Sequence, residues 1–127
     1  MLVIESWVVR DSPDVTVSSE AVLEVLRVRI DGGLFETWFA GSTGRLLGFV
    51  TNTQRAMVML LDGEDDPGEH AVEPGAPGSR EGFVLSNGQH DVYQNEDTVP
   101  IGEAFTIVGH IIRRGSWPTD TRWVADR

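Results

Sequence analysis

The stretch LFETWFAGSTGRLLGFVTNTQRAMVMLL, residues 34–61, decides the fold. It holds three apolar runs, residues 34–40, 45–50 and 55–61, separated by a Gly-Ser-Thr-Gly turn and by a Thr-Asn-Thr-Gln turn. Each run is six or seven residues, rich in aromatic or branched side chains, and bounded by turn formers, which is the signature of a strand rather than a helix. Connections of four residues are too short for a parallel crossover, so consecutive runs must pair antiparallel. The stretch is therefore a three-stranded meander.

The flanks add helices. Upstream, residues 2–9 read as a first strand, ended by Asp11, Ser12 and Pro13. Ser18 or Ser19 can cap a helix carrying Ala21, Val22, Leu23, Val25, Leu26 and Ile30 and ending near Asp31-Gly32-Gly33. The alternation Leu26, Val28, Ile30 with Arg27 and Arg29 also fits a hairpin strand before a Gly-Gly turn. The helix reading is preferred. Downstream, Pro100 fits the first helical position. Ile101, Ala104, Phe105, Val108, Ile111 and Ile112 follow as one apolar stripe. Gly115 and Pro118 stop that helix, and Arg113 and Arg114 suit its negative end. Residues 62–82 read as one long Gly- and Pro-rich loop, and long loops in compact domains tend to be functional. Short apolar pieces at 83–85 and 92–93 flank Asn87-Gly88, a hairpin turn signal. Residues 122–124 suggest a last short strand. The expected architecture is a single α+β domain over residues 1–127, with an antiparallel β-sheet of about five to seven strands and two main helices.

Charge is the most informative number. The chain carries 20 acids against 10 arginines, with no lysine, for a net −10. Such a field repels nucleic-acid phosphates and anionic lipid and favours a basic partner. The charge is concentrated. Asp62, Glu64, Asp65, Asp66, Glu69, Glu73, Glu81, Asp91, Glu96 and Asp97 fall in one window with a single arginine, Arg80, so residues 62–97 account for −9 of it. No cysteine is present, which removes disulfides and thiolate chemistry. Without lysine there is neither a phosphate-loop lysine nor a Schiff base. His70, His90 and His110 are scattered, with no metal-ligand spacing. Asp62, Glu64, Asp66 and Glu73 fall on positions of a calcium-loop count, but Pro67 stands where that loop needs a glycine. No cofactor is expected. The amino terminus lacks the pattern of a signal peptide, and no apolar run is long enough to span a membrane, so the expected compartment is the cytoplasm. Of the four tryptophans, Trp7 and Trp38 lie in strand-like runs and are expected in the core. Trp117, after a helix stop, is a candidate for partner contact or for anchoring the carboxyl tail.

The carboxyl-terminal part also carries a resemblance. SNGQHDVY (residues 86–93), VPIGEAF (99–105), GSWP (115–118) and Trp123, with DPGEHAVEPG (66–75) before them, resemble in order and spacing the first numbered immunity-protein family of bacterial polymorphic toxin systems. The likeness covers residues 62–127 and is loose over 34–61. It implies a non-enzymatic protein, largely β with helices. Such a protein binds one-to-one to a cognate toxin encoded beside it, often of the nucleic-acid deaminase superfamily, and is monomeric when free. It implies no catalytic residues. The positions matching its pattern, Pro100, Ala104, Phe105, Gly115, Pro118 and Trp123, are expected to hold the last helix and tail. A toxin acting on nucleic acid needs a basic groove, so the expected toxin-binding residues are Asp62, Glu64, Asp65, Asp66, Glu69, Glu73, Asp91, Glu96 and Asp97, with Trp117.

Overall fold

The meander is the middle of the sheet. In the computed structural model, which describes residues 5–127, the elements in chain order are β1 (Trp7–Val9), β2 (Ser12–Val17), α1 (Val22–Asp31), β3 (Glu36–Gly41), β4 (Leu46–Thr51), β5 (Arg55–Leu61), β6 (Glu69–Ala71), β7 (Ser79–Val84), β8 (His90–Gln94), a 3₁₀ turn at Asn95–Asp97, β9 (Val99–Pro100), α2 (Ile101–Arg114) and β10 (Trp123–Ala125). Eight strands form one sheet in the order β10-β6-β5-β4-β3-β1-β2, with β9 added to β5. Every pairing is antiparallel. β7 and β8 form a separate hairpin. The α+β class, the antiparallel sheet and the two helices match expectation. The sheet is larger than expected because β2, which contains Pro13, and the very short β6 and β9 leave little strand pattern in sequence, whereas the expected last strand appears as β10.

One face of the sheet carries both helices. Trp7, Val9, Phe39, Leu47, Phe49, Ala56, Val58, Leu60 and Ala71 point into a single cluster with Val22 and Leu26 of α1 and Ala104, Ile107, Val108, Ile111 and Ile112 of α2. The alternation along β5, in which every second residue is buried, is what a strand with one core face requires. Each large aliphatic buried on α2 contributes about 1.5–3 kcal/mol relative to exposure. Phe105 lies at the edge of this stripe and stacks on Phe49, with ring centroids 5.7 Å apart. Ile107 joins the buried face although the sequence stripe omits it. On the opposite face the β7–β8 hairpin leans on β4. Phe83 is fully buried there and packs on Tyr93 with centroids 4.6 Å apart. Ser86 N–H donates to Glu36 Oε1 and Asn52 Nδ2 to the Glu81 carbonyl.

Several expectations are corrected. Residues 2–4 of the first expected strand lie outside the described residues. Pro13 does not end strand structure, because it sits in β2 within a bulge, where the residues pairing with Val9 and Val8 of β1 step from Ser12 to Thr16, so its missing N–H breaks no pairing with β1. The preferred helix in the 20–33 stretch is present as α1, Val22–Asp31, and the hairpin alternative is not taken. Its start is Ala21 with no side-chain cap, while Ser18 accepts from Ala21 N–H through both its hydroxyl and its carbonyl, closing the preceding turn. Pro100 is not the first helical residue. It is held extended by pairing with Arg55, and α2 starts at Ile101, whose N–H donates to the Gln54 carbonyl. Residues 62–82 are not one loop. β6 interrupts them, and β7 begins at Ser79 with a bulge between Arg80 and Phe83 where Gly82 has φ +93°.

A close approach fixes one glycine. A Cβ on Gly48 of β4 would lie 2.6 Å from the Trp38 ring, which covers Gly48 from the neighbouring strand. Gly48→Ala is expected to destabilise the protein by about 1–3 kcal/mol, as overpacking does. Trp38→Ala in the same chain should recover part of that loss, so a double-mutant cycle by chemical denaturation should show coupling. Strict additivity would contradict this packing.

Candidate functional site

The acidic window begins where β5 ends, and the chain's own carboxyl tail fills it. Residues 62–68 turn the chain back into β6. Gly68 has φ +84°, and a Cβ there would meet Leu61 Cδ1 at 2.7 Å and the Leu60 carbonyl at 2.9 Å, so only glycine fits. The Gly68 carbonyl accepts from Asp126 N–H and the Arg122 carbonyl from Val72 N–H, which holds β10 against β6. Arg127 then reaches back. Its Nε donates to Asp66 Oδ1 at 2.9 Å and its Nη2 to Asp66 Oδ2 at 2.9 Å, while Nη1 reaches Glu69 Oε2 at 3.0 Å and Nη2 reaches Asp62 Oδ2 at 3.3 Å. Asp66 also accepts from Asp62 N–H. The Arg127 guanidinium, followed by that N–H, holds the Asp66 carboxyl below its ordinary range. Glu69 accepts from Trp117 Nε1 at 2.8 Å, and Trp117 stacks on Trp123 with centroids 6.3 Å apart.

A second clasp lies beside the first. His70 Nε2 is 3.0 Å from Asp97 Oδ1 and its Nδ1 is 2.9 Å from Asp126 Oδ2. Ionised carboxylates only accept, so both ring nitrogens must donate and the imidazolium is the favoured form. Burial alone would lower the His70 pKa, but the two carboxylates outweigh it and raise it above the ordinary 6.5.

The remaining acids of the window are dispersed. Glu73 pairs with Arg55, which also donates to Thr98 Oγ1 and to the Asn95 and Thr98 carbonyls. Glu64 pairs with Arg10. Asp91 accepts from Gln89 and from the Tyr93 hydroxyl, which keep its carboxyl below the ordinary range. Burial first, and then that carboxylate, push the Tyr93 phenol well above its usual value. Glu96 accepts from Gly75 N–H. Asp65 and Glu81 make no ion pair among the described residues. Arg10, Arg55 and Arg127, all from outside the window, reduce its −9 to −6. The acids left exposed are also split. Asp62, Glu64 and Asp65 lie in the turn after β5, whereas Glu81 lies on β7 beside Asn52, just before β5, and Glu96 lies beside Gly75 and next to the Asp97 that holds His70. The acidic window of the sequence is therefore not one continuous surface.

The calcium-count carboxylates do not converge on one point, since Asp62 and Asp66 hold Arg127, Glu64 holds Arg10 and Glu73 holds Arg55. Among the described residues no group of three or more His, Asp or Glu side chains is placed to hold a metal ion, and no helix is long and apolar enough to cross a membrane. Trp117 is only 9 % exposed, so it anchors the tail and offers little surface to a partner. The six positions singled out by the family pattern sit in structural places. Ala104 is fully buried, Phe105 stacks on Phe49, and Pro100 leads β9 into α2. Gly115 takes the left-handed conformation at φ +78° that caps α2, and its carbonyl accepts from Arg45. The Pro118 carbonyl closes the turn to Thr121, and Trp123 stacks on Trp117. The residues that sequence reasoning missed are Arg10, Arg55, Asp126 and Arg127, and their partners lie 18 to 65 residues away in sequence, beyond any local pattern. No protein-family model matches the chain, and no curated protein matches its sequence.

The raised His70 pKa has a definite pH consequence. Its stabilisation is fully present below the unfolded value, about 6.5, and is lost as pH rises through the higher folded value. The thermal midpoint should therefore fall more from pH 6 to pH 8 in the native protein than in His70→Gln. Parallel pH profiles for the two proteins would contradict this.

Proposed function

We propose that this chain is a cytoplasmic immunity protein that binds a basic toxin domain one-to-one and prevents it from acting. The proposed toxin belongs to the class that acts on nucleic acid, with a deaminase as the first candidate. The observation that carries the reading is the exposed acidic corner at the end of β5. Asp62 and Glu64 have side chains 74 % and 68 % exposed, and Asp65 beside them has no cationic partner among the described residues. The corner sits on a frame fastened by Asp66, Glu69 and Arg127. The resemblance of residues 62–127 to the immunity family supports the same reading.

The mechanism follows from electrostatics. A nucleic-acid enzyme lines its groove with Lys and Arg to hold phosphates. Carboxylates presented on a fixed turn imitate those phosphates and accept charge-assisted hydrogen bonds from the same side chains. The net −10 attracts such a groove at long range and raises the association rate, which suits an inhibitor that must reach its target before it acts. Arg10 is itself half-exposed, so its pair with Glu64 contributes little to stability and can be exchanged for a partner's cation.

Two measurements test this. Co-expression with the carboxyl-terminal domain encoded by the neighbouring gene should restore growth to cells that this domain kills. Glu64→Arg with Asp65→Arg leaves the Arg127 clasp intact and should slow association about tenfold or more at low salt, with a flatter salt dependence. Absence of rescue contradicts the immunity reading. Rescue with association unchanged by the double reversal contradicts the role given to this corner.

A further inference from the structure

His70 sits where three segments meet. It is the middle residue of β6, opposite Met59 on β5 and Val124 on β10. Its side chain is only 13 % exposed, with Nε2 on Asp97 of the 3₁₀ turn at 3.0 Å and Nδ1 on Asp126 of the carboxyl tail at 2.9 Å. The turn is tied into the body of the fold by other bonds. Asn95 N–H donates to the Gly78 carbonyl, Glu73 N–H to the Glu96 carbonyl, and Arg55 to the Asn95 and Thr98 carbonyls. The tail rests on less. All three residues of β10 are exposed and none joins the core cluster. Its flanking bonds are those from Val72 N–H to the Arg122 carbonyl and from Asp126 N–H to the Gly68 carbonyl. Trp117 does belong to the core cluster, so an opening of the tail can stop short of it.

Each element around the ring brings its own charges. β6 carries Glu69, which accepts from Arg127 and Trp117. β5 carries Arg55, at the far end of the strand and paired with Glu73. The turn carries Asp97 and Glu96, and Glu96 accepts from Gly75 N–H. The tail carries Asp126, with Arg122 before β10 and Arg127 after it, the latter bound to Asp62, Asp66 and Glu69. The ring itself touches two carboxylates, Asp97 and Asp126. An imidazolium donates to both at once. A neutral imidazole has one N–H and one lone pair, so one carboxylate is left facing an acceptor. Because the turn has its other bonds, the contact given up is the one to the tail.

We propose that His70 is a pH-sensitive latch on the carboxyl tail: its imidazolium holds residues 122–127 on β6, and loss of the proton lets them lift away while the rest of the fold stays closed. Burial opposes the charge on the ring, but Asp126 and then Asp97 outweigh it, so the closed ring titrates above the ordinary 6.5. The latch is fully closed below the value of the open, solvated ring, about 6.5, and weakens as pH rises through the higher closed value. Opening is local, because β10 lies outside the core and sub-global openings of such peripheral elements cost less than unfolding. An open tail carries Arg127 away from Asp62, Asp66 and Glu69 and Trp123 away from Trp117. The same event therefore uncovers the shielded carboxylates of the acidic turn. The latch holds whatever the protein's partner is.

The test follows the His70 ring shifts and the exchange of backbone amides in one isotope-labelled sample from about pH 5.5 to about pH 9. The ring should titrate with a midpoint above 6.5. Protection at Val72 and Asp126, corrected for the intrinsic pH dependence of exchange, should fall across that range. The fall should be about tenfold for each unit by which the ring's midpoint exceeds 6.5. Amides of β4 and β5 should keep their protection. Glutamine does not titrate, so His70→Gln should show no pH step at the two amides. Asp126→Asn should lower the ring's midpoint and shrink the step. The latch is overturned if the ring titrates at or below 6.5, or if the two amides keep their protection across its midpoint. It is also overturned if β4 and β5 lose protection in parallel, since the opening would then be global, or if the step survives in His70→Gln.

Discussion

The structure depends on the apolar face of α2 lying across β4 and β5. Ile107, Val108 and Ile111 are fully buried there, and Phe105 stacks on Phe49 at the margin. Placing a helix on that strand sets the path of the chain on both sides of it. Before α2, Val99 and Pro100 must pair with Arg55 and Ala56 to deliver Ile101 to the right point. After α2, Gly115 turns the chain, and Arg45 grips its carbonyl while also pairing with Glu5 and lying over Trp7. Burial by itself would raise the Glu5 pKa, but Arg45 and Thr43 lower it, so this carboxylate remains charged beside the helix end. The tail can then run only along β6, where the acidic turn is waiting.

That arrangement gives the acids two different jobs. Asp66 and Glu69 are shielded and hold Arg127, with Asp66 only 15 % exposed, and His70 joins Asp97 to Asp126. These contacts close the sheet at β10, which would otherwise be a three-residue strand held by few backbone hydrogen bonds. Isolated exposed ion pairs contribute little, but a network of several carboxylates around one guanidinium has fixed geometry and shared partners. Asp62, Glu64 and Asp65 stand outside this network or at its rim and face solvent. The same segment thus fastens the fold and presents charge, which is why its formal charge overstates what a partner would meet.

The legible parts of the fold were those written in local periodicity. Residues 34–61 alternate or run apolar over six or seven positions, and all three strands appear where the pattern puts them. The α2 stripe, its Gly115 stop and the Asn87-Gly88 turn are equally local. What was not legible depends on distant partners. Glu69-His70-Ala71 has no strand pattern and becomes β6 because β5 and β10 flank it on both sides. Pro13 reads as a breaker, yet the bulge in β2 accepts it. The acidic window was visible as a charge, but its division was not. Arg127 lies 61 residues from Asp66, and Arg10 lies 54 residues from Glu64.

The most direct test of this division of labour is amide hydrogen exchange in the free protein, comparing the native chain with Asp66→Asn. Asparagine keeps the shape of the side chain and removes the charge that Arg127 grips. If the acids fasten the tail, protection at Val72 and Asp126, whose N–H groups bond across to the tail and to Gly68, should drop selectively while β4 and β5 stay protected. Unchanged protection at both amides would show that the acidic segment does not hold the tail and would contradict the account.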